Sequence, residues 1–515
     1  MDRGKSLKKI SKKKTWDLII IGGGSSGLGI ALDSASRGYK TLLLEKYDFS
    51  KGTSSRSTKL VHGGVRYLQN GDISLVVEAL RERGIMRKNA PHLVRDLSFV
   101  IPSYDWWNSP FYGIGLKIYD MMSGKLGLGP STLLSKNEII KLIPNVKKKG
   151  LKGGVIYHDG QFDDARMAIS LAQTAENHGA TLINYFGVED LIKDKEMICG
   201  VVARDSIENK NYKIIAKGVI NATGVFSDSI TNLDIKKRKK TIVPSQGVHI
   251  VLDKSFLASN HAIMVPHTTD GRVLFAVPWN NYVIVGTTDT QIDKSSIEPI
   301  PLREEIKFIL KNAGSYMKSA PTFKDIKSVF AGLRPLAAPE NNEKATKEIS
   351  RHHKVTVSTS GLISILGGKW TTYRKMAEDT VNTARSVAGL QERECITHNL
   401  TIHGYDYSSN WKNPIHFYGT DIEKIQNLTN EGNSSISNKF FISKNQIIWS
   451  IRNEMAITLE DILARRTRSL FLDARESLRI APIVLEIMGK EMKKNTNWIK
   501  NEIVNFEKVA RNYIV

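Results

Sequence analysis

Residues 16–45 read WDLIIIGGGSSGLGIALDSASRGYKTLLLE. The apolar run at 16–21 predicts a buried strand, and the glycines after it predict a tight turn into a helix that ends at Gly38. The run YKTLLLEK, at 39–46, predicts a second strand. A strand, a turn, a helix and a second strand in this order favour an α/β fold built on a parallel sheet.

Gly22, Gly24 and Gly27 form a GxGxxG motif between the predicted strand and helix. The first glycine permits the tight turn, the second lets the backbone approach a pyrophosphate, and the third lets the helix pack closely on the strand. Glu45 ends the second predicted strand, where a carboxylate can accept hydrogen bonds from ribose hydroxyls. The motif therefore predicts a dinucleotide site, and by itself it does not distinguish FAD from NAD.

The composition is that of an ordinary globular chain. At roughly 150 residues per domain, 515 residues correspond to about three domains, and 41% hydrophobic residues allow a large core. The net charge of +22 predicts attraction to polyanions, which include nucleic acid, anionic lipid and a phosphorylated substrate. Charge alone does not choose among these partners.

Cysteine usage and hydropathy set further limits. Cys199 and Cys395 lie far apart and outside any CxxC or Cys/His spacing, so we expect neither a disulfide framework nor a metal site, which fits a reducing compartment. The basic stretch at 1–14 is not followed by an apolar run that resembles a signal peptide. Apolar runs throughout stay below the ~18 residues that a membrane span needs, so we expect none.

Three regions follow from the pattern along the chain. Residues 1–14, with six lysines and Arg3 against one acid, predict a mobile basic arm. Residues 15–390 predict a Rossmann-like nucleotide domain interleaved with a β-rich substrate domain, and the runs at 217–224, 247–252, 272–279 and 281–289 read as strands of a second sheet. Residues 391–515 predict a small all-α C-terminal domain, preceded by a polar stretch at 405–445.

Several stretches together resemble the FAD-dependent glycerol-3-phosphate dehydrogenases, within the wider D-amino-acid-oxidase-like flavoproteins. They are IGGGSSGLGIALDSASRG, TSSRSTKLVHGGVRYL, APHLV, FDDAR, NATGVFSD, SQGVHIVL, VPWNNYVIVGTTD, GLRPL and LGGKWTTYRKMAE. The pairing of HGGVRYL with GGKWTTYRK is much more specific than GxGxxG. The chain departs from the family pattern at Arg56, in a run usually made of small residues, and at Trp370, a position more often aliphatic.

The resemblance implies non-covalently bound FAD and a set of residues that contact it. These are Gly22, Gly24, Gly27, Glu45, Thr53, Ser54, Ser55, Ser57, Val188, Gly224, Gly368, Lys369, Trp370 and Thr371. The glycines of LGGKWTT precede a helix, whose N-terminal dipole would favour the reduced, anionic form of a flavin.

The resemblance also implies oxidation of glycerol 3-phosphate to dihydroxyacetone phosphate, with hydride passing to flavin N5. It places Arg66, Tyr67, His249, Arg334, Arg351 and Lys369 around the substrate. Of these, His249, Arg334 and Arg66 are the candidate catalytic residues. We expect the arginines to hold the phosphate, because a guanidinium meets phosphate oxygens in pairs, and His249 to act as the base.

The resemblance further implies a membrane quinone as electron acceptor and a cytoplasmic enzyme seated peripherally on the inner face of the cell membrane. Lysine-rich runs at 5–14, 147–149 and 236–240 could contact anionic lipid. Three alternatives stay open: an oxidase that uses oxygen, an amino-acid oxidase, and a flavin-bearing nucleic-acid-binding protein. We do not expect nucleic acid as partner, because the lysine runs lack interleaved aromatic residues. The oligomeric state is undecided, a homodimer included.

Overall fold

The computed structural model describes residues 1–64, 72–105, 108–235, 240–266, 268–338 and 351–515. Within these ranges the chain forms two sheets that are flanked by helices, and a helical C-terminal segment packs against the second sheet. The α/β fold with a Rossmann-like domain, a β-rich domain and a helical C-terminal domain is therefore confirmed.

The first sheet is built around the strand Trp16–Ile21, which is buried except at Asp17. This strand pairs in parallel with Thr41–Leu44 on one side and with Lys210–Asn221 on the other. Helices cover both faces of such a sheet, which explains its continuous apolar runs. The described strands lie in the order His353–Val357, Ile363–Gly367, Lys210–Asn221, Trp16–Ile21, Thr41–Leu44 and Thr181–Ile183, and the hairpin Phe186–Asp194 with Met197–Asp205 continues from Lys210–Asn221.

The second sheet is mostly antiparallel. Its described strands lie in the order Thr290–Gln291, Ile242–Asp253, Tyr282–Gly286, Leu274–Trp279, Ala262–Val265, Val94–Ser103, Gly153–Phe162 and Leu60–Val61. Ser328–Ala337 pairs with Ile242–Asp253, and Thr132–Ser135 pairs with Gly153–Phe162. Alternate side chains of these strands face two different apolar clusters, so both faces of the sheet are covered.

Helices connect and cover the sheets. Those outside the C-terminal segment are Arg3–Lys12, Ser25–Ser36, Ile73–Asn89, Asn108–Ser123, Lys136–Leu142, Asp164–Asn177, Ser227–Asp234, Arg303–Gly314 and Tyr373–Val387. The C-terminal segment contains Ile422–Gln426, Lys444–Asn453, the π-helical turn Asp461–Arg466, Ser469–Leu472, Ala474–Glu491 and Thr496–Ala510. Within the described ranges, no helix is both long and apolar enough to cross a bilayer.

The assignment of residues 217–224 to the second sheet is wrong. Residues 217–221 end the strand Lys210–Asn221, which pairs with Trp16–Ile21 in the first sheet. The error has a physical reason, because an apolar, β-branched run fits a buried strand of either sheet, and the choice depends on pairing between distant segments.

The mobile basic arm predicted for residues 1–14 is also wrong. Residues Arg3–Lys12 form a helix whose N-cap is Asp2 and whose Ser6 and Ile10 are buried. An Arg3 Nη2 nitrogen donates to Asp205 Oδ1 at 2.7 Å. A helix of ten residues is only marginally stable by itself. The packing of Ile10 and the ion pair between Arg3 and Asp205 stabilise it, and a count of charges in the sequence does not reveal these contacts.

Candidate active site at the carboxyl edge of the parallel sheet

The register of the first sheet brings the predicted cofactor residues to one edge. Ile21 lies opposite both Leu44 and Asn221, so the residues that follow these three strands meet at the same edge. Ile363–Gly367 runs parallel to Lys210–Asn221, and the glycine pair 367–368 therefore arrives at this edge as well. Ligands of open parallel sheets bind in the crevice outside the carboxyl ends of the strands.

Close packing leaves no room for a side chain at the glycines of the first turn. A Cβ on Gly27 would lie 1.9 Å from the carbonyl oxygen of Gly22, and one on Gly22, where φ is +108°, would lie 2.7 Å from Ala222 O. A Cβ on Gly24 would lie 3.0 Å from Ser54 Oγ. The turn is thus as tight as a pyrophosphate cradle requires, and it opens onto the N-terminus of the helix Ser25–Ser36.

Glu45 lies beside this turn at the end of its strand. Its carboxylate accepts hydrogen bonds from Gly23 N at 2.6 Å and from Tyr47 N at 2.7 Å. Burial raises the pKa of Glu45, although the two backbone N–H donors act in the opposite direction. Phe186 N donates to Glu45 O, and Val188 follows two residues later on the same strand. The structure therefore brings Val188 to the neighbourhood of Glu45.

The loop at 53–57 fits between the first turn and the segment 368–371. Ser54 Oγ accepts from Ser25 N at 2.9 Å, and Ser54 O accepts from the Trp370 indole at 2.8 Å. Thr53 Oγ1 donates to Leu333 O at 2.5 Å. His62 N, at the end of the following strand, donates to Thr371 Oγ1 at 3.3 Å. These contacts gather the predicted cofactor residues of three distant segments.

Two further glycines have the conformational freedom that close backbone approach needs. Gly224 has φ of +57° and follows the strand Lys210–Asn221 by three residues. Gly368 has φ of +85°, and a Cβ there would lie 2.4 Å from Met376 Sδ. Both positions exclude a side chain or strain one, and both lie near the carboxyl edge of the first sheet.

A cavity of about 330 Å³ adjoins this edge and reaches into the second sheet. Its walls include four of the predicted substrate residues: His249, Arg334, Arg351 and Lys369. Arg66 and Tyr67 lie outside the described residues, and their predicted roles stay predictions. Thr53, Ser57 and residues 368–371 line the same cavity, so the predicted cofactor and substrate residues share one space.

Asp289 connects Arg334 with Arg351 in this cavity, and sequence reasoning did not single it out. Arg334 Nη1 lies 3.6 Å from Asp289 Oδ1, and Arg351 Nη2 lies 3.7 Å from Asp289 Oδ2. Arg334 also donates to Thr287 Oγ1 at 3.1 Å and to Thr288 O at 3.0 Å. These contacts fix the guanidinium groups before any anion binds. Asp289 ends the stretch VPWNNYVIVGTTD, one of those that resemble the family, so its position in this stretch was the sequence signal for a role in the site.

His249 is buried and packs against Phe330, with ring centroids 4.9 Å apart. Its Nε2 shares a hydrogen bond with Thr58 Oγ1 at 2.8 Å, while among the described residues Nδ1 has no hydrogen-bond partner. Burial, together with Lys59 and Arg334, lowers the pKa of His249 well below its ordinary value. The imidazole is therefore neutral at physiological pH and can accept a proton.

Lys369 is a buried amine whose charge is sensitive to its surroundings. Burial and the neighbouring Arg351 lower the pKa of Lys369 to about 7. His62 faces the same cavity, and burial lowers the pKa of His62 to about 4. At neutral pH the imidazoles of His62 and His249 are thus neutral, and Lys369 is close to its midpoint, beside the guanidinium groups of Arg334 and Arg351.

Asp164 lies at the centre of a group of buried polar contacts behind the loop at 53–57, and sequence reasoning gave it no role. Its carboxylate accepts from Ser57 Oγ and from Lys59 Nζ, both at 2.7 Å, and from Arg468 Nη2 at 3.0 Å. Burial alone would raise the pKa of Asp164, but Lys59 and Arg468 hold it below its ordinary value. Arg468, from the C-terminal domain, therefore helps to fix the loop at 53–57, which carries predicted cofactor residues.

Arg56, the departure from the family pattern, is among the residues that line this cavity. It forms an ion pair with Glu298 Oε2 at 2.7 Å and lies over the rings of Phe471 and Tyr513. Its long side chain thus serves the contact with the C-terminal domain, which explains how a run of small residues accommodates it.

Two family models match the chain. The model described as FAD dependent oxidoreductase matches residues 17–374, and the model described as the C-terminal domain of alpha-glycerophosphate oxidase matches residues 362–497. The first covers more than half of the chain, and FAD as the cofactor is thereby confirmed.

Curated relatives and a solved structure cover nearly the whole chain. The mitochondrial glycerol-3-phosphate dehydrogenase of Mesocricetus auratus is 38% identical, over 95% of this chain and 72% of that protein. A probable enzyme of the same name from Dictyostelium discoideum is 40% identical, over 97% and 84%. The glycerol-3-phosphate dehydrogenase from Bacillus halodurans, complexed with FAD, superposes with a TM-score of 0.81 at 29% identity, over 100% of this chain and 98% of that chain.

The substitution Arg468→Met should weaken FAD binding. It removes the donors to Asp164 and to Ser55 O, and it leaves a buried carboxylate with less compensation next to the loop. A lost charged hydrogen bond of about 1.5–3 kcal/mol corresponds to a rise of about tenfold to a hundredfold in the dissociation constant of FAD. Titration of the apoprotein with FAD, followed by quenching of flavin fluorescence, measures this constant.

The matched control is Arg479→Met, in the same domain, where the arginine is exposed and pairs with Glu476. We expect this variant to bind FAD like the unaltered protein. Equal affinity in both variants would mean that Arg468 does not support the cofactor loop.

Proposed function

We propose that this chain, which belongs to the family of FAD-dependent glycerol-3-phosphate dehydrogenases, oxidises sn-glycerol 3-phosphate to dihydroxyacetone phosphate. The observation that carries the proposal is the cluster of Arg334, Arg351 and Lys369 in the cavity that the cofactor segments also line. The names of the relatives support the same substrate.

The charges of the cavity match a phosphate. Arg334, Arg351 and Lys369, when all are protonated, carry three positive charges, and the carboxylate of Asp289 carries one negative charge. These four groups thus leave two net positive charges for a phosphate dianion. Guanidinium groups suit this ligand because their planar donors meet two oxygens at once. A substrate that carries a single carboxylate needs less positive charge than this.

The oxidation requires removal of a hydroxyl proton and of a hydride from the same carbon. FAD, when bound, supplies the hydride acceptor. Neutral His249 can accept the hydroxyl proton, and the bond to Thr58 holds its ring in place. A bound phosphate dianion favours the imidazolium that results, because it offsets the positive charges that depress the pKa of His249. The roles predicted for Arg66 and Tyr67 in substrate binding belong to the same proposal.

We further propose that the enzyme binds peripherally to an anionic membrane on the cytoplasmic side and passes electrons to a quinone there. Two neighbouring helices expose apolar side chains: Ile73 and Val77 on Ile73–Asn89, and Ile118 and Met121 on Asn108–Ser123. Exposed cations lie beside them at Arg81 and Lys117. An apolar surface with a basic margin fits the interface of an anionic bilayer.

The helix Asn108–Ser123 lies against the side of the molecule that carries the predicted cofactor residues. Tyr119, which lies on the helix Asn108–Ser123 next to Ile118, is buried. Its hydroxyl accepts a hydrogen bond from Gly63 N at 2.9 Å. Gly63 follows His62 in the segment that ends at the active cavity. A quinone held in the bilayer at this surface would therefore lie close to the source of electrons, which favours a quinone over a distant soluble acceptor.

Anaerobic reduction tests the substrate directly. We expect glycerol 3-phosphate to bleach the flavin absorbance of the purified protein, whereas glycerol, lactate and alanine should not, because only the first supplies both the alcohol and the phosphate.

The substitution Arg334→Ala should raise the KM for glycerol 3-phosphate about tenfold to a hundredfold while flavin content stays unchanged. Arg303→Ala, at an exposed position of another helix, is the matched control. Unchanged KM in Arg334→Ala would contradict the phosphate role.

The pH dependence tests Lys369. With a pKa of about 7, this amine is cationic below that pH and neutral above it, so kcat/KM should fall as pH rises above about 7. The phosphate of the substrate, with a second pKa of about 6, is already dianionic in this range. Lys369→Arg, which stays charged, should extend the high plateau to more alkaline pH. The same alkaline decline in both proteins would show that another group titrates.

Sedimentation with vesicles tests the membrane surface. The double substitution Val77→Glu and Met121→Glu should abolish binding to vesicles of phosphatidylcholine and phosphatidylglycerol, because carboxylates oppose both burial and anionic lipid. Met197→Glu with Val504→Glu, two exposed apolar residues elsewhere, is the matched control and should leave binding intact. Binding by the first variant at the unaltered level would place the contact on another surface.

A further inference from the structure

A second cavity, of about 470 Å³, lies between the second sheet and the C-terminal segment. The turn at Asn280 and Asn281, which joins Leu274–Trp279 to Tyr282–Gly286, forms one wall. Residues 411–417 and 439–441 form the opposite wall. The described residues around this cavity are different from those around the active cavity, and the proposed oxidation uses none of them.

Arg95 is the notable polar group of this cavity. Its Nε and Nη2 both donate to Gln161 Oε1, at 2.8 and 2.5 Å, and Gln161 in turn donates to Pro278 O. Among the residues that the structure describes, no carboxylate lies within ion-pair distance of Arg95. Arg95 is half-buried, its hydrogen-bond partner is neutral, and it lines a space that could hold an anion.

Aromatic side chains surround the same space. The guanidinium of Arg95 lies 5.3 Å from the centre of the Trp411 ring. Trp279 and Tyr282, both buried, come from the sheet side, and Phe441 comes from the C-terminal side. Flat rings that line a cavity from two sides favour a ligand with a planar ring of its own.

The rim of the cavity is polar and mainly basic. Lys254, Lys412 and Lys439 lie around it, and Lys439 pairs with Asp473 at 3.0 Å. Asp163 also lines the cavity, but its carboxylate caps the helix Asp164–Asn177 and lies 3.5 Å from Arg468. Amide side chains at Asn260, Asn280 and Asn281 add donors and acceptors for hydroxyls or for the edge of a base.

We propose that this second cavity binds a nucleoside phosphate. The base would lie among Trp411, Trp279 and Phe441, and the phosphate would contact Arg95 and the rim lysines. The volume lies in the range of cavities that bind small organic ligands. The combination of a half-buried guanidinium with a neutral partner, aromatic walls and a basic margin distinguishes this ligand from an uncharged aromatic compound and from a small inorganic anion.

Calorimetric titration with ADP tests the proposal. The protein is used with its full content of FAD and with saturating glycerol 3-phosphate, so that neither the cofactor site nor the active cavity is open to the nucleotide. We expect one molecule of ADP per chain, with weaker binding of adenosine and of inorganic phosphate, because each supplies half of the recognised groups.

Two variants locate the binding. Arg95→Gln and Trp411→Ala should each raise the dissociation constant of ADP about tenfold or more, since the first removes a charged donor and the second a stacking surface. Arg87→Gln alters an exposed arginine of the helix Ile73–Asn89, which pairs with Asp96 of the strand Val94–Ser103, and this variant should bind ADP normally. Unchanged flavin content and turnover in all three variants exclude loss of folding as the cause.

Three results would overturn the proposal. One is failure of ADP to bind the unaltered protein at millimolar concentration. Another is binding that neither Arg95→Gln nor Trp411→Ala weakens, which would place the nucleotide elsewhere. The last is inorganic phosphate binding as tightly as ADP, which would leave the aromatic walls without a role. Each result is independent of whether glycerol 3-phosphate is the substrate that reduces the flavin.

Discussion

The parallel register of the first sheet is the constraint on which the site depends. Trp16–Ile21 pairs on both sides, so the segments that follow Ile21, Leu44 and Asn221 meet at one edge without further guidance. The turn of glycines, the carboxylate of Glu45 and the Gly367–Gly368 segment come together for this reason. The grouping of the predicted cofactor residues is thus a consequence of backbone hydrogen bonds inside the core, and the second sheet supplies further walls of the cavity that adjoins them.

A second constraint is the burial of charge around the loop at 53–57, which comes after the strand Thr41–Leu44. Asp164 is completely buried and is tolerated because Lys59, Arg468 and Ser57 all donate to it. Lys59 in turn lies close enough to His249 to lower the pKa of that imidazole. The protonation state of the proposed base is therefore set partly by a structural ion pair, so the stability of the loop and the chemistry of the cavity are linked.

The sequence predicts local features well and distant pairings poorly. The first strand, turn, helix and second strand follow from periodicity and glycine spacing, and the cofactor follows from motif resemblance. The placement of 217–221 failed because strand partners are chosen by contacts between remote segments. The helix at Arg3–Lys12 was missed because its order comes from tertiary packing. Asp289 and Arg468 were missed for the same reason, since an aspartate or arginine acquires its role only when folding supplies its neighbour.

The buried ion pairs between the two ends of the chain bear on how the protein is made. Burial alone would raise the pKa of Asp48, but Arg466 and Arg465 lower it to about 2, and both arginines donate to its carboxylate. Synthesis proceeds from the N-terminus, so Asp48 and Asp164 leave the ribosome several hundred residues before these partners. Until Arg465, Arg466 and Arg468 are synthesised, these carboxylates lack the guanidinium groups that offset their burial in the folded protein. The buried charges of the nucleotide domain are therefore balanced in full only late in synthesis.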